Sequence, residues 1–431
     1  MIRTILIFAL FIVMVVLMMR GKLTFVISLP LLALGVAIIA GAPFLGENGI
    51  MAQVFEGGVT RMASSYAALM ISAWLGAMMN NTGISKTIIK TAAELGGDRP
   101  LLVTLLLTVA VSLVYTTISG LGGVIMIASI AVPIMISVGV PGLVAICIFL
   151  FAYAIGLTLN LSNWAYFSSL TGVSIGDVQL FAWILCGLTA VMCLVFILFQ
   201  FKREGVKLSW AAPNGQVEEA LNFEKAPAIS LLTPIVPIVL VVAFSWTIVA
   251  ALFAGIAYCF ITTAIFNRQI TLTRLLGLTT KSAIDGVNDG ALGILSMVVI
   301  GMLSASLNLA EVINTISGTM ELIVPSSQIP YILFFALLAP LALYRGPLNI
   351  WGIGAGLSTV IVGMGILPAT AVMCGFIACE RMQVICDPTN SHNVWLANYV
   401  GTDTMTVLKK VFPFVWVLCA IAVVVSGFMW F

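Results

Sequence analysis

The sequence predicts an all-α membrane protein, laid out as an inverted repeat with about ten transmembrane helices, two re-entrant hairpins and two broken helices. Three observations predict it. The 431 residues are 61% hydrophobic and only 8% charged, with a mean hydropathy of +1.19; a soluble domain carries roughly 25% charged residues. The lysines and arginines gather in loops that a single topology puts on one side of a bilayer. Polar and glycine landmarks of the first half return in order in the second, within a few residues of 228 positions later.

The elements follow in order. Apolar runs at about 2–19, 22–41 and 61–82 are the first three spans, each long enough to cross a hydrocarbon core of about 30 Å as a helix. The first, Met1 to Met19, has no basic start beyond Arg3 and no small-x-small cleavage site, so it reads as a span and not as a leader. The apolar stretch 101–138 breaks at Thr116-Thr117-Ile118-Ser119-Gly120-Leu121-Gly122-Gly123. Its two short arms predict a hairpin that enters and leaves on the same side, two full crossings being the alternative. The stretch 142–176 is a span broken at Asn160-Leu161-Ser162-Asn163-Trp164, and 178–200 closes the first half. A charged segment, Phe201 to Ala228, links it to the second as a cytoplasmic linker. There the spans are 229–246, 247–266 and 288–307, then a hairpin 328–365 broken at Tyr344-Arg345-Gly346-Pro347-Leu348-Asn349. A broken helix 366–404 with Asp387-Pro388-Thr389-Asn390-Ser391-His392-Asn393 in it, and a last span 410–430, complete the chain.

Charge sets the sidedness. With the Arg20/Lys22 turn in the cytoplasm, Lys86, Lys90, Arg99, Lys202, Arg203, Lys207, Lys225, Arg268, Arg274, Lys281, Lys409 and Lys410 all fall inside. Arg3 and Arg61 fall outside with Glu311 and Glu321, while Arg345 and Arg381 lie within the membrane. That is a strong positive-inside bias, and it leaves both termini outside. The repeats are 1–200 and 229–431. Gly57-Gly58-Val59 pairs with Asp285-Gly286-Val287, Tyr115 with Tyr344, Gly139-Val140-Pro141 with Gly365-Ile366-Leu367-Pro368, and Asn160 to Trp164 with Asn390 to Trp395. Five crossings per copy is an odd number, so the second copy inserts upside down.

Several functions are excluded. A net charge of +2 is too small for nucleic acid, and no phosphate-binding loop or Rossmann glycine pattern is present. Most of the eight cysteines lie in apolar runs (Cys147, Cys186, Cys193, Cys259 and Cys419), and Cys374, Cys379 and Cys386 with a single histidine make no structural zinc pattern. No paired carboxylate, metal or nucleophile–base motif suggests an enzyme, and no cofactor is expected.

Polar groups inside a bilayer are expensive and mark function. The four breaks carry them. Broken backbone is tolerated where it is buried or lines a watery cavity, and it exposes helix ends: N-termini that suit an anion, C-termini that suit a cation. The candidate substrate-binding residues are Ser119 and Gly120 at the first tip, Asn160, Ser162 and Asn163 at the first broken helix, Arg345 and Asn349 at the second tip, and Thr389, Asn390, Ser391 and Asn393 at the second broken helix. Buried arginine at a break suits a carboxylate. Asp387, His392 and Glu380 are the candidates for ion coupling, with Ser119, Gly120 and Thr389 a possible Na⁺ site.

The order span, hairpin, broken helix, span, repeated inverted, resembles the ion transporter superfamily, which includes gluconate permeases, citrate–cation symporters, dicarboxylate transporters and the large membrane subunit of TRAP transporters. Leu170-Thr171-Gly172-Val173-Ser174-Ile175-Gly176-Asp177-Val178 and Val400-Gly401-Thr402-Asp403 before Leu408-Lys409-Lys410-Val411-Phe412-Pro413-Phe414 look like the TRAP subunit. Ser391-His392-Asn393-Val394-Trp395-Leu396 is similar to gluconate permeases. The doubled Ser-Asn-Thr tip of dicarboxylate carriers is absent: Ile118-Ser119-Gly120 and Leu348-Asn349-Ile350 stand there. The resemblance implies that tips and broken helices together hold substrate and coupling ions, and that the protein is a homodimer.

The expected function is secondary active transport in a bacterial cytoplasmic (inner) membrane: H⁺- or Na⁺-coupled symport of a small organic acid by alternating access. Two alternatives are the membrane component of a TRAP-type carrier, fed by a periplasmic solute receptor, and a cation/proton antiporter built on Asp285, Asp289, Asp387 and His392.

Overall fold

A computed structural model describes residues 2–20, 22–206, 225–267 and 270–431. Lys207, Arg268 and most of the expected linker lie outside the described residues. Every regular element described is helical. Seven helices are long and apolar enough to cross a membrane, or eight if the bent pair Gly142–Thr158 and Leu161–Thr171 is one span. The expected ten depend on shorter helices. Phe25–Ala40 has 16 residues and rises only about 24 Å, as does the hairpin arm Pro100–Tyr115. By length alone a short span and a hairpin arm are alike.

The boundaries move where a polar residue interrupts an apolar run without ending its helix. The span expected at 61–82 begins ten residues earlier, as a π-helical turn Met51–Glu56 continued by Gly57–Thr60 and Ala63–Asn81. The span expected at 288–307 is one helix of 36 residues, Leu272–Leu307, which takes Lys281, Asp285 and Asp289 in its stride. Conversely, 229–246 holds a short 3₁₀ turn, Ala228–Leu232, and only ten α-helical residues, Ile235–Phe244, ended by Ser245 in the left-handed region. Two amphipathic helices, Ile84–Gly96 and Ala310–Ile323, are too polar to register as spans. They bury stripes of Ile84, Ile88 and Ala92 and of Val312, Ile316 and Met320, the spacing of one helix face.

The four breaks are real interruptions. The first hairpin pairs Pro100–Tyr115 with Leu121–Ser137 around a tip at 116–120. Tyr115 ties its arms by donating to the Gly123 carbonyl at 3.1 Å. Gly120, with φ +88°, precedes the returning arm, a conformation glycine adopts without steric cost. The second hairpin runs from Gln328–Leu338 through a tighter turn, Ala339–Arg345, to Ile353–Met364. Tyr344 and Arg345 there both have φ +56°, a strained backbone that non-glycine residues hold only when their surroundings dictate it. The broken helices are Gly142–Thr158 with Leu161–Thr171, bent by 62°, and Ala369–Cys386 with Ser391–Tyr399.

At the centre, the helix Leu272–Leu307 packs along the 51–81 segment through small residues. A Cβ on Gly301 would stand 2.3 Å from the Gly58 carbonyl oxygen, and one on Gly286 would stand 2.5 Å from that of Ala73. No larger residue fits either place, which is how membrane helices approach closely without a hydrophobic drive. The first tip leans on this pair: Ile118 Cγ1 is 3.0 Å from a Cβ on Gly76, and Ser72 donates to the Thr117 carbonyl at 2.9 Å. The first tip is thereby held against the long helices.

Candidate functional site

Each broken helix leaves carbonyls that have no partner four residues on. Side chains just past the break supply the missing donors. At the second break, Asn390 Nδ2 donates to the Gln383 carbonyl, His392 Nε2 to that of Val384 at 3.0 Å, and Asn393 Nδ2 to that of Asp387 at 2.8 Å. At the first, Asn163 Nδ2 reaches the Leu157 carbonyl at 2.9 Å and Trp164 Nε1 that of Thr158 at 2.8 Å. The amide-rich motifs that mark the breaks in the sequence are first of all the caps that make the breaks affordable.

Beneath these caps lies a cavity of about 340 Å³ between the first tip, both broken helices, Arg345 and the long helix. Of the residues singled out from sequence, Ser119, Gly120, Asn163, Arg345, Glu380, Asn390, Ser391 and His392 line it. The others stand behind the wall. Asn160 caps the helix after it, accepting from Ser162 N–H at 3.0 Å and from the Ser162 hydroxyl at 2.6 Å. Asn349 accepts from Trp351 N–H and donates to the Ala342 carbonyl. Thr389 caps Asp387 Oδ1 with its N–H and its hydroxyl, leaving Oδ2 buried with no donor. Asn393 faces the break and not the cavity.

The wall also holds residues that the sequence did not single out for substrate. Trp351 stacks on Tyr166 with centroids 4.1 Å apart and donates to Glu380 Oε1 at 2.8 Å. Gln383 is 6% exposed, and its Oε1 is buried without a partner at the cavity. Its position three residues after Glu380 on an apolar helix was a usable signal. Asp289 and Ser296 enter from the long helix; nothing in sequence tells which of its faces meets the tip.

The charges divide clearly. Glu380 and Arg381 form a buried pair at 2.7 Å, each 1% exposed, and Arg381 also donates to the Ala154 carbonyl and the Thr158 hydroxyl. That pair neutralises itself. Arg345 donates from Nη1 to the Trp351 carbonyl at 3.1 Å and lies over the Phe25 ring at 5.1 Å. It has no carboxylate within ion-pair distance among the described residues, so it is the cation the cavity has to offer. Two helix N-termini open beside it, at Ser119–Leu121 and at Asn390–His392, and such ends favour negative charge. No group of three or more His, Cys, Asp or Glu among the described residues could hold a metal ion.

Known proteins share the fold. Among solved structures the chain is similar to the YdaH transporter of Alcanivorax borkumensis, described as having an unusual topology, with a TM-score of 0.66 at 13% identity over 94% of this chain and 97% of that one. It is also similar to MtrF of Neisseria gonorrhoeae, from a class of antimetabolite efflux pumps, with a TM-score of 0.61 at 12% identity over 98% of this chain and 94% of that one. At these identities the likeness is one of fold. No curated protein sequence matches the chain. The family model of the C4-dicarboxylate anaerobic carriers matches residues 51–321. This stretch takes in the long central helices, the first hairpin and the first broken helix. Neither the gluconate permeases nor the TRAP subunit is what the family match names. The protein is a secondary carrier of small organic anions and not an enzyme, and the chain belongs to the DcuC family of C4-dicarboxylate anaerobic carriers.

Proposed function

We propose that this protein moves a C4-dicarboxylate such as succinate or fumarate across the membrane, binding it in the cavity beside Arg345. The carrying observation is that one arginine without a carboxylate partner and two helix N-termini converge on a cavity of about 340 Å³. One carboxylate pairs with the guanidinium; the other lies toward the N-terminus at Asn390–His392, away from the Asp289 carboxylate at the first tip. The absence of the Ser-Asn-Thr tip of other dicarboxylate carriers fits a site in which this arginine and bare helix ends do the binding. Trp351, Tyr153 and Leu157 supply apolar wall for the short carbon chain.

Transport is by alternating access between two inverted copies, 1–200 and 229–431, coupled to H⁺ or Na⁺. Asp387, with a buried oxygen that lacks a donor, and His392 are the groups for the coupling ion. The test is uptake of labelled succinate into proteoliposomes under imposed H⁺ or Na⁺ gradients. Arg345→Gln is expected to cut uptake at least about thirtyfold, since removing one partner of a buried charge pair costs about 2–5 kcal/mol. Unchanged uptake with full expression would remove Arg345 from the site. Asp387→Asn is expected to keep succinate exchange and lose gradient-driven accumulation.

A further inference from the structure

Two of the closest contacts between the two long helices are copies of each other. A Cβ on Gly58 would meet Met302 Cα at 2.7 Å and the Gly301 oxygen at 3.3 Å; one on Gly286 would meet the Ala73 oxygen at 2.5 Å and Trp74 N at 2.7 Å. Gly58 and Gly286 are 228 positions apart, as are Ala73 and Gly301, and Trp74 and Met302. A contact from i to j mirrored by one from i′ to j′ is the mark of a two-fold axis. The amphipathic stripes obey the same register, with Ile84, Ile88 and Ala92 standing 228 positions before Val312, Ile316 and Met320. The register assigns a partner to every residue of these helices, and the partner of Asp289 is Arg61.

At these two residues the symmetry is broken. Asp289 lines the cavity, and its carboxylate oxygens lie 2.9 Å from the position of a Cβ on Gly122 at the first tip. Its carbonyl lies 3.1 Å from the same position on Gly120. Arg61 does not line the cavity. Neither side chain makes a hydrogen bond or ion pair among the described residues. The two returning arms open alike, Gly120-Leu121-Gly122-Gly123 and Gly352-Ile353-Gly354-Ala355, each with a glycine just before the helix. The rotation that carries Asp289 onto Arg61 carries the first tip onto the second.

We propose that Arg61 is a second substrate-facing charge of this carrier: in the conformation opposite to this one it stands at the second tip, facing the bound dicarboxylate, where Asp289 stands now. This rests on the dicarboxylate and inverted-repeat reading above. In an alternating mechanism each copy's long helix guards the site in one state. Here the guards carry opposite charges. A dianion is attracted on the Arg61 side and repelled on the Asp289 side, with Asp285 one turn away adding to the repulsion. Capture and release therefore differ by construction, and with Arg20 and Lys22 inside, capture is from outside.

The experiment measures succinate entry into right-side-out and inside-out membrane vesicles. Arg61→Gln is expected to raise the KM about tenfold in right-side-out vesicles only, and Asp289→Asn to lower it about tenfold in inside-out vesicles only. The exchanged pair Arg61→Asp with Asp289→Arg reverses the asymmetry, and Arg61→Lys restores the outer KM. Equal shifts from both faces, or none, overturn the proposal. Asp289→Asn carries the test alone if Arg61→Gln does not reach the membrane. Wild-type vesicles that take up no C4-dicarboxylate sink the substrate reading and this proposal together; wild-type uptake with symmetric responses sinks only this one.

Discussion

Arg381 and Glu380 show why a buried charge is not by itself a binding residue. Both are 1% exposed, and they bond to each other, to Trp351 and to the second half of the Gly142–Thr158 helix, with only Arg381 Nε left without an acceptor. Removing one partner strands the other in a dry interior, so Glu380→Gln is expected to cost about 3–5 kcal/mol and lower the melting temperature in detergent. Replacing both, Glu380→Gln with Arg381→Met, is expected to recover much of that loss; a double variant no better than the single would contradict the pairing. The break amides behave similarly. Asn393→Ala takes the side-chain donor from the Ile385 and Asp387 carbonyls, of which Asp387 keeps the Asn390 N–H, and is expected to destabilise by about 1–3 kcal/mol, read as earlier thermal unfolding. The sequence placed these polar residues at the breaks. It could not say which end of each side chain faces the cavity, because Asn163 and Asn393 cap by the same atom yet only Asn163 lines the site.

Among the elements, the crossing of Leu272–Leu307 with the 51–81 segment has the least tolerance. Gly301→Val would drive a side chain into the Gly58 carbonyl, and neither backbone can yield without moving its helix. The expected result is loss of the monodisperse species on size exclusion. Gly277→Ala on the same helix meets nothing within 4 Å and is expected to leave the profile unchanged or slightly sharpened, since alanine favours helix by about 1 kcal/mol. The apolar elements were legible because hydropathy is a local sum. The two amphipathic helices and the early turns of the long helices were not, because their polar residues, such as Lys90, Asp285 and Asp289, dilute that sum while the backbone continues unbroken.

At the scale of the whole molecule, sidedness is the testable quantity. The positive-inside count with ten crossings puts both termini outside. An alkaline phosphatase fused after Phe431 is expected to be active and a green fluorescent protein there dark; the reverse pattern would mean that one short helix or hairpin crosses differently. The element order from Phe25 to Glu204 recurs from Ile248 to Trp430: short span, long helix, amphipathic helix, hairpin, broken helix, closing helix.

The sequence alone determined that the protein lives in a membrane, where its helices break, and that the breaks recur at a spacing near 228. These follow from composition and from proline, glycine and amide residues whose effects act within a few neighbours. The tertiary structure decided which polar groups share one cavity. It closed Glu380 onto Arg381, left Arg345 open, and brought Asp289 of the second half to Gly122 of the first. The reason is physical: side chains far apart in the chain meet only through the angle and closeness of helix crossings, and those depend on glycine-to-backbone contacts that no single segment contains.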